Sequence, residues 1–357
     1  MSHRHIQPNS CKRFGLTLVE LLVSLGIIVL LIALLLPAIQ RVRATLDAMV
    51  CASRLRQMGL AAHHHETDHG RLPPGYLGPA MENQEDYPLP AHYQRGQWIG
   101  HLPLLLPYLE QGLVIRDMNY DMNPDHVAPF PWFFKTTAND LNDSLYQIAQ
   151  TRLKLFVCPS VSSYDPEKGM PFPPGGGTLL GVHTFNSILL GPFSTSWQDN
   201  YGNSSSFYPL GRTHYVGVAG CGTGSHPAYN LFAGIFTNRS KVSLAQITAN
   251  DGTSNTLLYG EACGSQYQGS RFETIDLSWM GVSALGTYGG LHHPRTGQVI
   301  HFSGYHPGGV QFCFADGSVR SVRRGTTTDR DTPDWYVLQE LAGWREGGRS
   351  DKSTLID

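Results

Sequence analysis

Arg13-Phe14-Gly15-Leu16-Thr17-Leu18-Val19-Glu20 opens the stretch that decides the fold, and the uncharged run Leu21 through Leu36 to Ile39 completes it. About 19 uncharged residues, at 1.5 Å per helical residue, match a hydrocarbon core about 30 Å thick. The stretch therefore reads as a helix able to enter a membrane. Glu20 is its exception. A carboxylate costs roughly 2.5 to 3.5 kcal/mol at mid-bilayer, so an acid retained at the start of an apolar helix implies a role.

The position of Gly15 points to that role. A secretory signal carries its small-residue cleavage site after the apolar core, whereas Gly15 lies before it, at the border of the basic leader. Cleavage at that border leaves the whole helix on the mature chain. The stretch resembles the prepilin processing signal of type IV pilins and type II secretion pseudopilins. The resemblance implies that prepilin peptidase cuts after Gly15 and methylates the new N-terminus at Leu16, which stands where phenylalanine is usual. It implies further that Glu20 neutralises the new amino group, its own or a neighbour's, during assembly. A plain signal anchor is the alternative.

The composition fits an extracytoplasmic body. Of 357 residues 41% are hydrophobic and 15% charged, and 39 Gly with 23 Pro point to turns and long loops rather than a helical bundle. Net charge is −2. Removing a leader with Arg4, Lys12 and Arg13 leaves 23 basic against 28 acidic residues, a net −5, with no basic footprint for nucleic acid. Lys12 and Arg13 favour a cytoplasmic leader and an outward C-terminal bulk, although Arg41, Arg43, Arg54 and Arg56 oppose them. The expected location is the inner membrane, single-pass, with the body periplasmic or at the cell surface.

Beyond the apolar run the helix continues. Ala44, Ala48, Cys51, Leu55, Met58 and Ala62 form a narrow apolar stripe, with Arg43, Asp47, Arg54 and Gln57 on another side. Pro37 either kinks the helix or marks its exit from the membrane. The helix is expected to end near His63-His64-His65-Glu66-Thr67-Asp68-His69-Gly70. That cluster invites a metal reading, with His65 and His69 one turn apart, but histidines also suit the C-terminal end of a helix dipole.

Blocks along the rest of the chain widen the resemblance. Leu55-Arg56-Gln57-Met58-Gly59, Arg71-Leu72-Pro73-Pro74-Gly75, Leu104 through Gln111, Phe156-Val157-Cys158-Pro159-Ser160, Tyr215-Val216-Gly217, Gly234-Ile235-Phe236, Asp251 through Thr256 and Gly260-Glu261 are followed by His306-Pro307-Gly308-Gly309 and Asp316-Gly317-Ser318. Together they resemble a large family of bacterial prepilin-like proteins of unknown function, whose signature is a histidine, nine residues, then Asp-Gly. Related pseudopilins carry calcium near the C-terminus, which makes Asp329, Asp331 and Asp334 calcium candidates. No other cofactor is implied.

Outside the cytoplasm disulfides are allowed, and the mature chain keeps five cysteines. Cys51 on the inward stripe and Cys158 in an apolar, strand-like segment are expected to pair. Cys221 with Cys263 is a second pair, which leaves Cys313 a buried thiol. Val310 to Ala315 and Ser318 to Val322 alternate about the two-residue turn Asp316-Gly317 and predict a β-hairpin. On that reading His306 and Asp316 are structural, at opposite ends of one strand. Thr332-Pro333 caps a short helix through Trp335, Leu338 and Leu341. The region from about Val161 to Leu210 reads as loops, with Phe172, Phe185, Phe193, Trp197, Tyr201 and Tyr208 closing a small satellite core or forming a glycan-binding face.

The expected fold is α+β and pilin-like: a long N-terminal helix packed on an antiparallel sheet with large loop insertions. The leader is 1–15, the transmembrane and assembly helix 16–39, its amphipathic extension 40–70, and the globular domain 71–357. The expected function is a non-enzymatic structural or accessory subunit of a pilus or pseudopilus, with other pilin-like subunits, prepilin peptidase and the membrane as partners. The alternative is a membrane-anchored glycan-binding protein or hydrolase that uses the helix only as a tether.

Overall fold

A computed structural model describes residues 18–78, 96–129, 132, 142–161, 178–179, 181–185, 188–193, 210–221, 231–263, 276–282, 284–294, 296, 301–345, 347–348 and 350–356. Gly15 and Leu16 lie outside the described residues, as do the side chains of the aromatic loop region from Phe172 to Tyr208. Two compact units divide the chain, one up to Leu46 and one from Asp47 onward.

Helix α1 spans Leu18–His69 and runs unbroken through Pro37, with Glu20 in its first turn. Up to Leu46 its apolar side chains are exposed, Leu18 at 77% and Leu36 at 54%. From Cys51 onward one face is buried: Cys51, Leu55, Met58, Gly59, Ala61, Ala62 and His65. The stripe therefore begins later than its periodicity suggests, since Ala44 is exposed and Ala48 only half-buried. Gly70, at φ 69°, stops the helix in the left-handed region, and its N–H donates to the Glu66 carbonyl at 2.7 Å.

The class is α+β, and ten strands are described. They are β1 (Thr178–Leu179), β2 (Gly181–Phe185), β3 (Ile188–Phe193), β4 (Arg212–Thr213), β5 (Tyr215–Gly220), β6 (Leu257–Glu261), β7 (Asp276–Ser278), β8 (Ala284–Gly286), β9 (Val310–Phe314) and β10 (Val319–Val322). The main sheet has the order β10-β9-β6-β5-β8. Its first four strands pair antiparallel, but β5 pairs with β8 in parallel, so the sheet is mixed. Strands β5 and β6 are buried at every position, as expected where both faces are covered.

The second half of α1 lies on this sheet. Gln311 of β9 donates from Nε2 to the Ala48 carbonyl at 3.1 Å, and a Cβ on Gly59 would stand 2.5 Å from the Cys313 sulfur. Gln311 and Cys313 share one face of β9, while Phe312 between them turns the other way, against Gly260 and Phe302. The β9–β10 loop has three residues rather than two. Phe314 and Ser318 close it, Gly317 takes φ 81°, and Ser318 N–H donates to Asp316 Oδ1 at 2.8 Å. The C-terminal helix Pro333–Ala342 starts as its sequence predicts, with the Thr332 hydroxyl accepting from Trp335 N–H.

Candidate functional site

Four segments far apart in the sequence meet under the packed half of α1. Cys51 comes from the helix, Cys158 from the chain after the tight turn Lys154–Phe156, Glu261 from the end of β6, and His306 from the turn before β9. Their ligand atoms lie within 4.8 Å of one another, and all four residues are buried. The Cys51 and Cys158 sulfurs are 2.7 Å apart, and His306 Nε2 stands 3.9 Å from the Cys158 sulfur and 3.1 Å from Glu261 Oε1.

The sheet register builds this corner. Tyr215, the first residue of β5, pairs with Glu261, the last of β6, so both side chains leave the sheet on one face. Glu261 Oε2 accepts from Gln311 N–H at 3.0 Å, which fixes the carboxylate at that end of the sheet. Gly304 makes room for it, because a Cβ there would sit 2.7 Å from Oε2. Cys158 is held by its backbone N–H, which donates to His214 Nδ1 at 2.9 Å. The segment leading to Cys158 is a tight helical turn followed by extended chain, where the sequence suggested a strand.

Burying an acid, an imidazole and thiols together is costly unless they satisfy one another. Contacts with the Cys263 and Cys51 thiols pull the Cys158 thiol down, against its burial, and His306 adds to that pull. Cys51 and Cys263 are both pushed up, first by their contact with Cys158 and then by burial. Burial pulls His306 down, but contacts with Cys158 and Glu261 outweigh it and raise the ring to about 10. Burial raises Glu261, with His306 opposing. Glu261 Oε1 and the Cys158 sulfur both lie beside His306 Nε2, at 3.1 and 3.9 Å. The corner favours a positive charge at its centre.

The structure brings Cys51 and Cys158 together as two thiols, without a bond between them. The expected Cys221–Cys263 pair is not formed: both are buried free thiols, and Cys263 contacts Cys158. Cys313 is also a buried thiol, raised to about 12 by burial. His306 and Asp316 serve different places, His306 in the cluster and Asp316 within its own turn.

Asp329, Asp331 and Asp334 do not converge. Asp334 Oδ2 accepts from Thr326 N–H at 2.9 Å, Asp331 Oδ1 accepts from the Tyr336 hydroxyl at 3.1 Å, and the Asp329 carbonyl accepts from the Thr332 hydroxyl at 2.8 Å. The calcium candidates are tied into the start of the C-terminal helix instead. At the end of α1 the His65 and His69 rings stack with centroids 4.3 Å apart, and His69 Nδ1 contacts the His65 carbonyl at 3.0 Å. His63 Nε2 contacts the Ala315 carbonyl at 2.8 Å, and His65 Nδ1 contacts the Arg71 carbonyl at 3.0 Å.

The sequence paired Cys51 with Cys158 but connected none of Cys51, Cys158, Glu261 and Cys263 to His306. A signal was present in Leu257-Leu258-Tyr259-Gly260-Glu261, where an acid ends an otherwise apolar strand. An ionisable group that cannot reach water from such a position needs a buried partner.

Neither the curated proteins nor the solved structures contain a match to the chain. A family described as a protein of unknown function (DUF1559) matches residues 40–328, which include Cys51, Cys158, Glu261, His306 and the Asp316-Gly317 turn. Matched over well more than half its length, the chain belongs to this DUF1559 family of proteins of unknown function.

Proposed function

We propose that the protein is a membrane-anchored, pilin-like structural subunit of a pilus or pseudopilus, processed after Gly15 and not itself an enzyme. One observation carries this reading. The first half of α1 presents exposed apolar side chains all round and holds a single acid, Glu20, in its first turn. An apolar surface of that length suits lipid or the helices of other subunits. A carboxylate at its start suits a cationic partner, such as the free amino group left by cleavage after Gly15.

Mass spectrometry of the N-terminus of the membrane-extracted protein tests the processing step, with Leu16 expected as the first residue. A chain that still begins at Met1, or one cut beyond Ile39, removes the proposal. The tether alternative separates at Glu20. In a subunit, Glu20→Leu abolishes crosslinking between copies while membrane retention persists. In a tether, it changes neither.

A further inference from the structure

We propose that Cys51, Cys158, Glu261 and His306 bind one divalent transition-metal ion of the zinc class, which pins α1 to the sheet. The first support is convergence: two sulfurs, a ring nitrogen and a carboxylate oxygen from four segments lie within 4.8 Å of one another, all of them buried. Groups of this chemistry are costly to gather in a protein interior without a cation to neutralise them.

The second support is Glu261 itself, which is fully buried. Its Oε2 is held by Gln311 N–H, yet Oε1 accepts no hydrogen bond, although His306 Nε2 is only 3.1 Å away. The ring nitrogen and the oxygen lie side by side without the alignment of a donor and an acceptor. Two ligands aimed at a common third atom are arranged in this way.

The donor set selects the ion. Two thiolates with an imidazole suit zinc and its borderline neighbours, whereas calcium and magnesium need more oxygen ligands than this corner supplies. All four positions are filled by protein and none is exposed, the pattern of a structural site rather than a catalytic one. The surroundings supply what such ligands need to stay oriented. Gln311 N–H holds the carboxylate and His214 Nδ1 the Cys158 backbone. Two sulfurs bound at about 2.3 Å to a tetrahedral ion stand about 3.8 Å apart, so the ion enters by widening the present 2.7 Å contact by about 1 Å.

The test uses the full chain, purified in detergent without chelator. Elemental analysis is expected to find one zinc per chain. After unfolding in chelator without reductant, Cys51 and Cys158 should both alkylate as free thiols. Replacing the ion with cobalt should give a thiolate-to-cobalt charge-transfer band, a readout on the wild-type chain that does not depend on any variant folding. Glu261→Gln and His306→Ala should lose the metal, and Cys221→Ser should keep it. A wild-type chain without metal, a Cys51–Cys158 disulfide peptide, or zinc retained undiminished in both variants overturns the proposal.

Discussion

The two halves of α1 are built from the same kind of residue and meet opposite surroundings. Leu30 and Leu31 are exposed at 63% and 53%, while Leu55 has no exposed surface. An apolar side chain gains roughly 1.5–3 kcal/mol when it leaves water, whether the new neighbour is a sheet or a lipid tail. What separates the halves is their mixture of residues. The first half is apolar on every side. The second keeps a single apolar face, and charged residues such as Arg56 point to solvent. A helix that is apolar all round asks for a medium, whereas a one-sided helix asks for a partner.

The sharpest break of this comparison is one substitution made in both halves. Leu55→Ala should destabilise the body by about 2–5 kcal/mol, because the cavity opens between α1 and the sheet. Leu30→Ala should change it by no more than about 0.5 kcal/mol. Chemical denaturation of the detergent-solubilised chain, followed by tryptophan fluorescence, reads both. Equal losses at the two sites would mean that the first half also packs on the body.

The same contrast explains what the sequence could show. The apolar run, the one-sided stripe, the hairpin and the Thr332-Pro333 start are local patterns, each written within about a dozen neighbouring residues, and each is present in the structure. The stripe's beginning was less legible because alanine at positions 44 and 48 scores as apolar wherever it stands. The buried corner is the opposite case. Its four members are separated by up to 255 positions, and only the pairing of β5 with β6 and the seating of α1 bring them together. Apolar character and spacing sufficed to place Cys51 near Cys158. Nothing local told Glu261 from a surface acid, and the Cys221–Cys263 pairing had only parity to support it.

A second, smaller effect lies at the end of the packed half. Burial pulls His65 down to about 4 against an ordinary 6.5, despite the Arg71 carbonyl beside its Nδ1 and the Asp68 carboxylate, with the His69 and Arg71 charges adding to the fall. The unfolded chain therefore binds the extra proton more readily, so stability falls as pH drops from about 6.5 to about 4 and levels off below. The shift corresponds to a loss on the order of 3 kcal/mol. His301, also brought to about 4, first by burial, adds a slope of the same sign in the same window. Unfolding midpoints from pH 7 to pH 4 should decline in the wild-type chain and decline less steeply in His65→Asn. A parallel decline in the variant would show that His65 is not held neutral by its burial.

The smallest effect is also the cleanest comparison, because both halves of the helix carry a glycine. In a helix interior alanine is favoured over glycine by about 1 kcal/mol, so Gly→Ala should help wherever there is room for a methyl group. Gly26 has nothing within 4 Å of its added Cβ, and Gly26→Ala should leave the body unchanged while raising helix content in detergent. At Gly59 the added Cβ would meet the Cys313 sulfur at 2.5 Å, with the Gly317 backbone at 3.8 Å behind it. Cys313 belongs to a paired strand and is fully buried, so the methyl group has to push α1 off the sheet or force the sulfur out of its rotamer. Overpacking of that kind costs about 1–3 kcal/mol, enough to outweigh the propensity gain. Gly59→Ala should therefore lower the denaturation midpoint, and Cys313→Ala in the same chain should restore part of the loss by removing the clashing atom. If Gly59→Ala proved neutral or stabilising, the close seating of α1 over β9 would have to be abandoned, and with it the route by which Cys51 reaches Cys158.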